Sequence, residues 1–545
     1  MLRSTVLGST SLAAAALLGC TAGPPPAASQ ATTAPGGATA QKPRKGGVLK
    51  EDINADPASW SLFGTGGTTY TMTSFAYERL TAHTPGSDPW STDLHAELAV
   101  AMPEQPDGQT YVYTLHEGVK FQNVAPVNGR PLTVEDVKFS IDTITKHNLW
   151  KADYASVSSV TTPDAKTVVV KTSRPDAALL NNSSSFFGYR VFPKELLGTD
   201  LEKTNVIGTG PFIRAQYDQA SKIVFKRNPD YWAPNVPYVD EMHYLIMPDN
   251  ETANGAFLTK QIDILSSAGT CHQEDELWAK VKNFATTQTS PRNSPFIAFN
   301  MTQAPFGDVR VRRALSLAMN RDAQTQSLFC GSARLTGLLP TPFGLPPEKV
   351  PDLAANIKYD PKQAKDLLTA AGVGADFQPE IVWTPQYNSD PSYGDSLQLY
   401  VGNLKQIGVT ATPISIDYAK WIGPPGVYRP PFNFKDMLWG TQKTLYADPN
   451  SYMLLWLHPN GISNQSRVND PALTALLEKQ QTQVDPSARS QTIHEIQNME
   501  AKGAYYAYRM NGTGKVFVQN RVHDYHYHGS HAHAEEFRSA WLDNA

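Results

Sequence analysis

Ile207-Gly208-Thr209-Gly210-Pro211-Phe212, followed by Lys226-Arg227-Asn228-Pro229-Asp230-Tyr231-Trp232, is the stretch on which the reading of this chain turns. Two glycines and a proline around Thr209 set a tight entry into the next strand, a structural role before a binding one. The pair lacks the third glycine of a dinucleotide loop. Asn228-Pro229-Asp230 reads as a second turn, with Tyr231 and Trp232 packing on the body of the protein. Working outward, Thr110-Tyr111-Val112-Tyr113-Thr114-Leu115 and Thr167-Val168-Val169-Val170-Lys171 are rich in β-branched and aromatic residues between turn formers, and read as strands. Helices are punctuated as clearly. Asp360 caps a helix with Pro361 at its first position, Ala364, Leu367, Leu368 and Ala371 form its apolar stripe, and Gly372 ends it. Thr133 and Asp136 form a capping-box variant ahead of Val137, Ile141 and Ile144, and Asp308 caps a third helix. Strands and helices interleaved in this way argue for an α/β or mixed α+β assembly, not a sandwich or a bundle.

Further segments recur along the chain: Gly108-Gln109-Thr110-Tyr111 through Gly118-Val119-Lys120-Phe121, Leu132-Thr133-Val134-Glu135-Asp136-Val137, and Gln261-Ile262-Asp263-Ile264. Asp308-Val309-Arg310-Val311-Arg312-Arg313-Ala314-Leu315 follows with Asn320-Arg321-Asp322, then Tyr359-Asp360-Pro361-Lys362-Gln363-Ala364-Lys365. In this order the segments resemble the large solute-binding proteins of ABC importers, the peptide, dipeptide and nickel class, and they cover most of residues 46 to 520. The resemblance implies a two-lobed clamshell of the periplasmic-binding-protein type. Lobe I would comprise 46–84, 205–292 and 518–545, with a subdomain inserted at 85–204, and lobe II would be 293–517. Crossings near 292 and 517 would be the hinges.

The N-terminus bears Arg3 ahead of an apolar run from Leu12 to Leu18, too short to span a bilayer and expected to be an export signal. Leu17-Leu18-Gly19-Cys20 resembles a lipobox, which makes Cys20 the expected lipidation site and 1–20 a lipoprotein signal peptide; the alternative is an ordinary signal peptide with a chance cysteine. Residues 21–45, mostly Ala, Thr, Pro and Gly, read as a flexible tether. The remaining chain, in a sequence of 41% apolar content, is long enough for more than one core. A net charge of −4 with no long basic run makes nucleic acid a poor partner. Cys271 and Cys330 are an even pair that permits one disulfide, but sequence does not bring their Cα atoms within about 7 Å, and two buried thiols are the expectation.

The chain carries no G-x-S-x-G, H-E-x-x-H, Walker or C-x-x-C motif, and it is not expected to be an enzyme. A secreted hydrolase with a carboxylate pair is the distant alternative. By the resemblance, ligand contacts concentrate between Trp383 and Trp456. Trp383 and Trp421 serve equally as core or cleft residues, whereas Trp439 is expected in the cleft, with Gly440 and Thr441 beside it. Arg429 is the candidate for a ligand carboxylate, although a solvated loop arginine is its plainer reading. Peptide binders of this type carry an aspartate three residues before the acidic-Pro dipeptide; here the dipeptide is Asp448-Pro449 and Leu445 stands in that place. Asp448 could meet an ammonium group instead, or cap the helix beginning near Asn450. His523, His526, His528, His531 and His533 crowd together, and strand alternation would put His526 and His528 on one face, but no metal site and no cofactor are expected.

These readings converge on an extracytoplasmic lipoprotein, monomeric and lipid-anchored, in the periplasm or on the outer face of the cell membrane. It would capture a peptide-like solute between two lobes and deliver it to an ABC permease. An oligosaccharide or glycoside ligand is the alternative, favoured by Leu445 and the tryptophans.

Overall fold

In a computed structural model of the chain, the residues described are 42–64, 67–86, 91–148, 150–151, 153–185, 188–266, 269–290, 294–339, 343–374, 376–385, 392–422, 426–442, 448–528 and 533–543. Cys20, the signal region and nearly all of the 21–45 tether lie outside them, as do Leu445 and His531. No helix among the described residues is long and apolar enough to cross a membrane.

Two mixed sheets organise the fold. The first has seven strands, ordered Ala285–Ser290, Gly514–Gln519, Ile264–Leu265, Val48–Ile53, Glu241–Ile246, Lys222–Arg227 and Phe212–Asp218. The second has five, ordered Thr412–Ser415, Glu380–Trp383, Met437–Gln442, Ser294–Phe299 and Tyr506–Tyr508. Each sheet carries its own core. Leu49, Phe75, Phe225 and Val518 belong to one buried cluster, and Phe257, Leu277 and Phe517 to another, both confined to the first lobe. Phe296, Tyr452 and Trp456, and separately Phe299, Leu315 and Tyr400, make clusters confined to the second. The fold is therefore a two-lobed clamshell.

A three-stranded sheet, Thr110–Thr114, Thr167–Thr172 and Val157–Thr161, packs with the helix Val134–Lys146 as the inserted subdomain. Its Tyr111, Val137 and Val168 join the same buried cluster as Leu49, so it is fused to the first lobe through a common core.

The Gly-Thr-Gly-Pro turn shows why those residues are needed. A Cβ on Gly208 would lie 2.0 Å from the Ala76 carbonyl oxygen, and one on Gly210 would lie 2.4 Å from that of Phe75. The glycines serve close backbone approach, and Gly210 N donates to Ala76 O at 2.9 Å. The Asn228 amide reaches back to Gly210 O, and Glu78 accepts from both Tyr231 Oη and Trp232 Nε1, which ties the two quoted segments into one joint. The helix caps form as read: Thr133 and Asp136 complete a capping box, Asp360 caps Pro361–Ala370, and Gly372 takes φ +73°.

Cys271 and Cys330 form a disulfide with Cα atoms 6.0 Å apart, which corrects the expectation of two buried thiols. The pairing depends on two segments that only the fold brings together, and both residues are half-buried rather than enclosed.

Candidate functional site

The strand registers locate the boundary between the two sheets. Ile264 pairs antiparallel with Val518 and Leu265 with Phe517, so the carboxyl end of that strand points toward Gly514, and Val48–Ile53 and Glu241–Ile246 run parallel to it. In the second sheet Ser294 faces Gln442, so the carboxyl end of Met437–Gln442 lies beside the start of Ser294–Phe299, and Glu380–Trp383 and Thr412–Ser415 run the same way. Ser290 and Gly514 are partners, and the chain passes between the two sheets from 290 to 294 and from 508 to 514, the second passage by way of Asn511–Gly512, which pairs with Ala333–Arg334. The parallel strands of both lobes thus end at the crossings. In open α/β sheets, ligands bind at the carboxyl ends of parallel strands, where loops are free to diverge.

On the first lobe, Glu51 and Asp52 sit near the end of Val48–Ile53, both buried. Ser266 joins them: its N donates to Asp52 Oδ1 at 2.7 Å and its Oγ to Glu51 Oε1 at 2.6 Å. Burial pushes the Asp52 carboxyl up to about 7, with the charge of Glu51 adding to the effect. Sequence reading missed this pair. Its signal was two adjacent acids inside a strand of otherwise regular burial.

On the second lobe, Trp383 ends its strand half-buried, with its ring 6.3 Å from that of Tyr393. Trp439 does not line a cleft. It is fully buried, its indole N–H donates to Tyr393 O at 3.2 Å, its ring stacks on Tyr400, and the Arg509 guanidinium lies 3.9 Å over it. With its face and its donor both satisfied inside the lobe, it is a core residue, which corrects the expectation. Gly440 is required by packing, since a Cβ there would meet the Phe296 ring at 2.7 Å, and its carbonyl accepts from Arg509 Nη2. Thr441 is buried and its carbonyl accepts from Tyr428 Oη. Trp421 is buried and stacked on Tyr428, so of its two readings the core one holds. Arg429 is exposed and donates to Ser463 Oγ at 2.7 Å, the plainer of its two readings.

Asp448 is completely buried, caps the helix Pro449–Leu457 through Asn450 N at 2.8 Å, and is clasped by Arg489 through two hydrogen bonds of 2.6 and 2.9 Å. A carboxylate held this fully cannot also serve an incoming ammonium group, which corrects its alternative role. Asn181 of the inserted subdomain donates to its Oδ2 at 3.1 Å. The lobes meet along this seam: Ala177 N donates to Gln481 O, Arg174 to the Gln481 side chain, and Arg489 Nη1 to Ala177 O. Asp153, pushed up to about 7 by burial and by the charge of Asp176, shares a hydrogen bond with Ser451 in the same seam.

The histidines do not share a face. His526 is exposed, whereas His528 is buried with its backbone N–H on Glu536 and its ring against Ser91 O. The segment around them is not a strand, so alternation does not apply. His523 stacks on Trp541 and contacts Asp543 at 3.0 Å. Cys271, His272 and Cys330 have ligand atoms within 4.8 Å of one another, but the two sulfurs are spent on each other.

The model of the bacterial extracellular solute-binding proteins, family 5 middle, matches residues 93–464. The chain is 26% identical over 453 residues to the Heme-binding protein A of Haemophilus influenzae, covering 75% of this chain and 77% of that one. It is 28% identical over 321 residues to the Glutathione-binding protein GsiB of Salmonella typhimurium, 57% of this chain and 59% of that relative, so this match spans less than two thirds of the relative's length. The fold superimposes with a TM-score of 0.75 on the ABC transporter-associated periplasmic binding protein DppA from Helicobacter pylori in complex with the peptide STSA. That likeness has 22% identity and covers 92% of this chain and 99% of that one.

Proposed function

The chain belongs to the bacterial extracellular solute-binding proteins, family 5, a family of binding proteins and not of enzymes, and from that premise we propose that it captures a peptide-like solute between its lobes and delivers it to an ABC importer permease. The observation that carries the proposal is the convergence of the parallel-strand ends of both sheets on the lobe boundary. Two crossings join the lobes at that boundary, and a solute touching both lobes stabilises the closed form over the open one. Within this reading lobe I comprises 46–84, 205–292 and the C-terminal segment, the inserted subdomain is 85–204 and lobe II begins at 293; the strand Gly514–Gln519 lies inside the first sheet, so the second crossing falls before Gly514 and not near the expected 517.

The matched relatives are named for haem and glutathione, and the solved structure holds a four-residue peptide. Two of these three ligands are peptides by chemistry, which supports a peptide-like solute here. With Asp448 committed to Arg489, the Glu51–Asp52 pair is the acidic group that meets a ligand cation. Trp383 supports a second reading, an oligosaccharide or glycoside, because a half-buried indole at a strand end suits the flat face of a sugar ring. The protein acts as an extracytoplasmic monomer, with Cys20 as its lipid anchor to the membrane.

Native mass spectrometry of protein purified from its own host tests the ligand class. A co-purified peptide supports the first reading, a sugar the second, and failure of peptide and oligosaccharide libraries to bind the emptied protein defeats both.

A further inference from the structure

We propose that the Cys271–Cys330 disulfide is an interlobe brace: it pins the two lobes together beside one chain crossing and confines their motion to rotation about that point. The inference rests on the reading that the lobes close around a solute. Cys271 heads the helix Cys271–Val281, which is capped by Thr270 and buried through Leu277 and Val281 in a first-lobe cluster. Cys330 follows the helix Arg321–Leu328 of the second lobe, where Arg321 Nε donates to Tyr508 O. The bond therefore joins a first-lobe helix to one that packs on the second-lobe helix Tyr393–Gln406, whose Leu397 and Tyr400 belong to a separate cluster.

Its placement decides what it does. Three residues beyond Cys271, Glu274 Oε1 accepts from Lys515 N at 3.2 Å; three residues beyond Cys330, Ala333 pairs with Gly512. The disulfide runs alongside the crossing segment 512–515, anchored to its two ends, and a cavity of about 250 Å³ lies between them, walled by Glu274, Phe329, Ser392 and Lys515. A chain crossing can flex at every φ and ψ, so two crossings alone permit the lobes to slide and twist as well as open. A disulfide holds its two Cα atoms within roughly 4.4 to 6.8 Å. Cys271 and Cys330 thus stay together at any opening angle, and translation at this point is blocked while rotation remains. The ligand-free ensemble is narrowed, and closure onto a solute orders less.

The test is single-molecule energy transfer between dyes on unnatural residues at exposed Val100 and Ile462, 50% and 49% exposed. It compares oxidised protein, Cys271→Ser/Cys330→Ser, and wild type reduced by a dithiol. In the reduction the S–S bond breaks, both sulfurs gain a proton and an electron, and the reagent leaves as its own disulfide. The solute-loaded protein as purified and the same protein stripped in denaturant and refolded are both measured. The expected result is a broader distance distribution in the stripped reduced and variant proteins than in the stripped oxidised one, with co-purified solute released severalfold faster. Distributions that superpose while all three still close on solute overturn the brace and leave the clamshell intact. Identical distances in loaded and stripped protein, in every form, overturn lobe closure and the brace with it. Should the double variant fail to fold, the reduced wild type carries the comparison.

Discussion

Asn181 donates a hydrogen bond from Nδ2 to Oδ2 of Asp448 at 3.1 Å across 267 residues of chain, joining the inserted subdomain to the start of a second-lobe helix. Arg489 binds the same carboxylate by two bonds, so one buried aspartate caps a helix, balances a guanidinium and seals the lobe boundary.

This arrangement predicts an asymmetric mutational response. Arg489→Met leaves a wholly buried carboxylate without its cation and is expected to cost roughly 3 to 5 kcal/mol. Adding Asp448→Asn should recover part of that loss. Thermal melts of the single and double variants decide it, and a double variant as unstable as the sum of the two singles would show that the pair does not act as a unit.

Asp52 predicts a pH-dependent affinity. Its carboxyl, raised to about 7, is neutral below that pH and charged above it. If it faces a ligand cation, peptide affinity rises severalfold between pH 5.5 and 8.5, and Asp52→Asn flattens the curve. Calorimetric titrations of a peptide at both pH values would remove Asp52 from the site if wild type and variant behave alike.

Glu500 predicts a stability slope of opposite sense to ordinary acid denaturation. Burial raises its carboxyl from 4.5 to about 8, and Tyr508 Oη donates to it at 2.8 Å. The unfolded chain ionises this group first, so its contribution is full below pH 4.5, declines by up to about 1.4 kcal/mol per pH unit, and is gone above pH 8. Relative to wild type, Glu500→Gln should gain stability as pH rises from 5 to 8. Parallel denaturation profiles would contradict the burial of a neutral acid.

The tryptophans should divide by role. Trp439→Ala removes a fully buried, hydrogen-bonded ring and is expected to cost roughly 3 to 5 kcal/mol of stability. Trp383→Ala, at a half-buried strand end packed on the edge of the same cluster, should lower the melting temperature less than Trp439→Ala does and weaken solute binding by about 1 to 3 kcal/mol. Melting curves and titrations on both variants check the division.

The lipid anchor is tested by fractionation. Cys20→Ser should move the protein from membranes to the soluble fraction, because no other attachment point is visible in the sequence. Unchanged membrane retention would reject Cys20 as the anchor.

Local chemistry made much of the fold legible. Caps at Thr133, Asp308 and Asp360 and the strand at Thr110–Thr114 are written in neighbouring residues, and they form as read. Relationships across the fold were not legible. Asp448 meets Arg489 through the approach of two helix ends, and Cys271 meets Cys330 across the lobe boundary. Trp439 misled because a large aromatic near a strand end carries no mark of which side of the sheet holds Tyr400 and Arg509. His526 and His528 misled because alternation presumes a strand, and none forms there.

The strand Gly514–Gln519 lies inside the first sheet, between Ala285–Ser290 and Ile264–Leu265, although it follows every strand of the second sheet along the chain. The second lobe is contiguous and holds all of its own strands before that segment exists. A chain emerging from its N-terminus can therefore finish the second lobe first, while the first waits with two of its strands lacking the neighbour that joins them. Loss of residues 514–519 would leave the lobe begun earliest unable to close its sheet, so a segment near residue 50 depends on one more than 450 positions further along the chain.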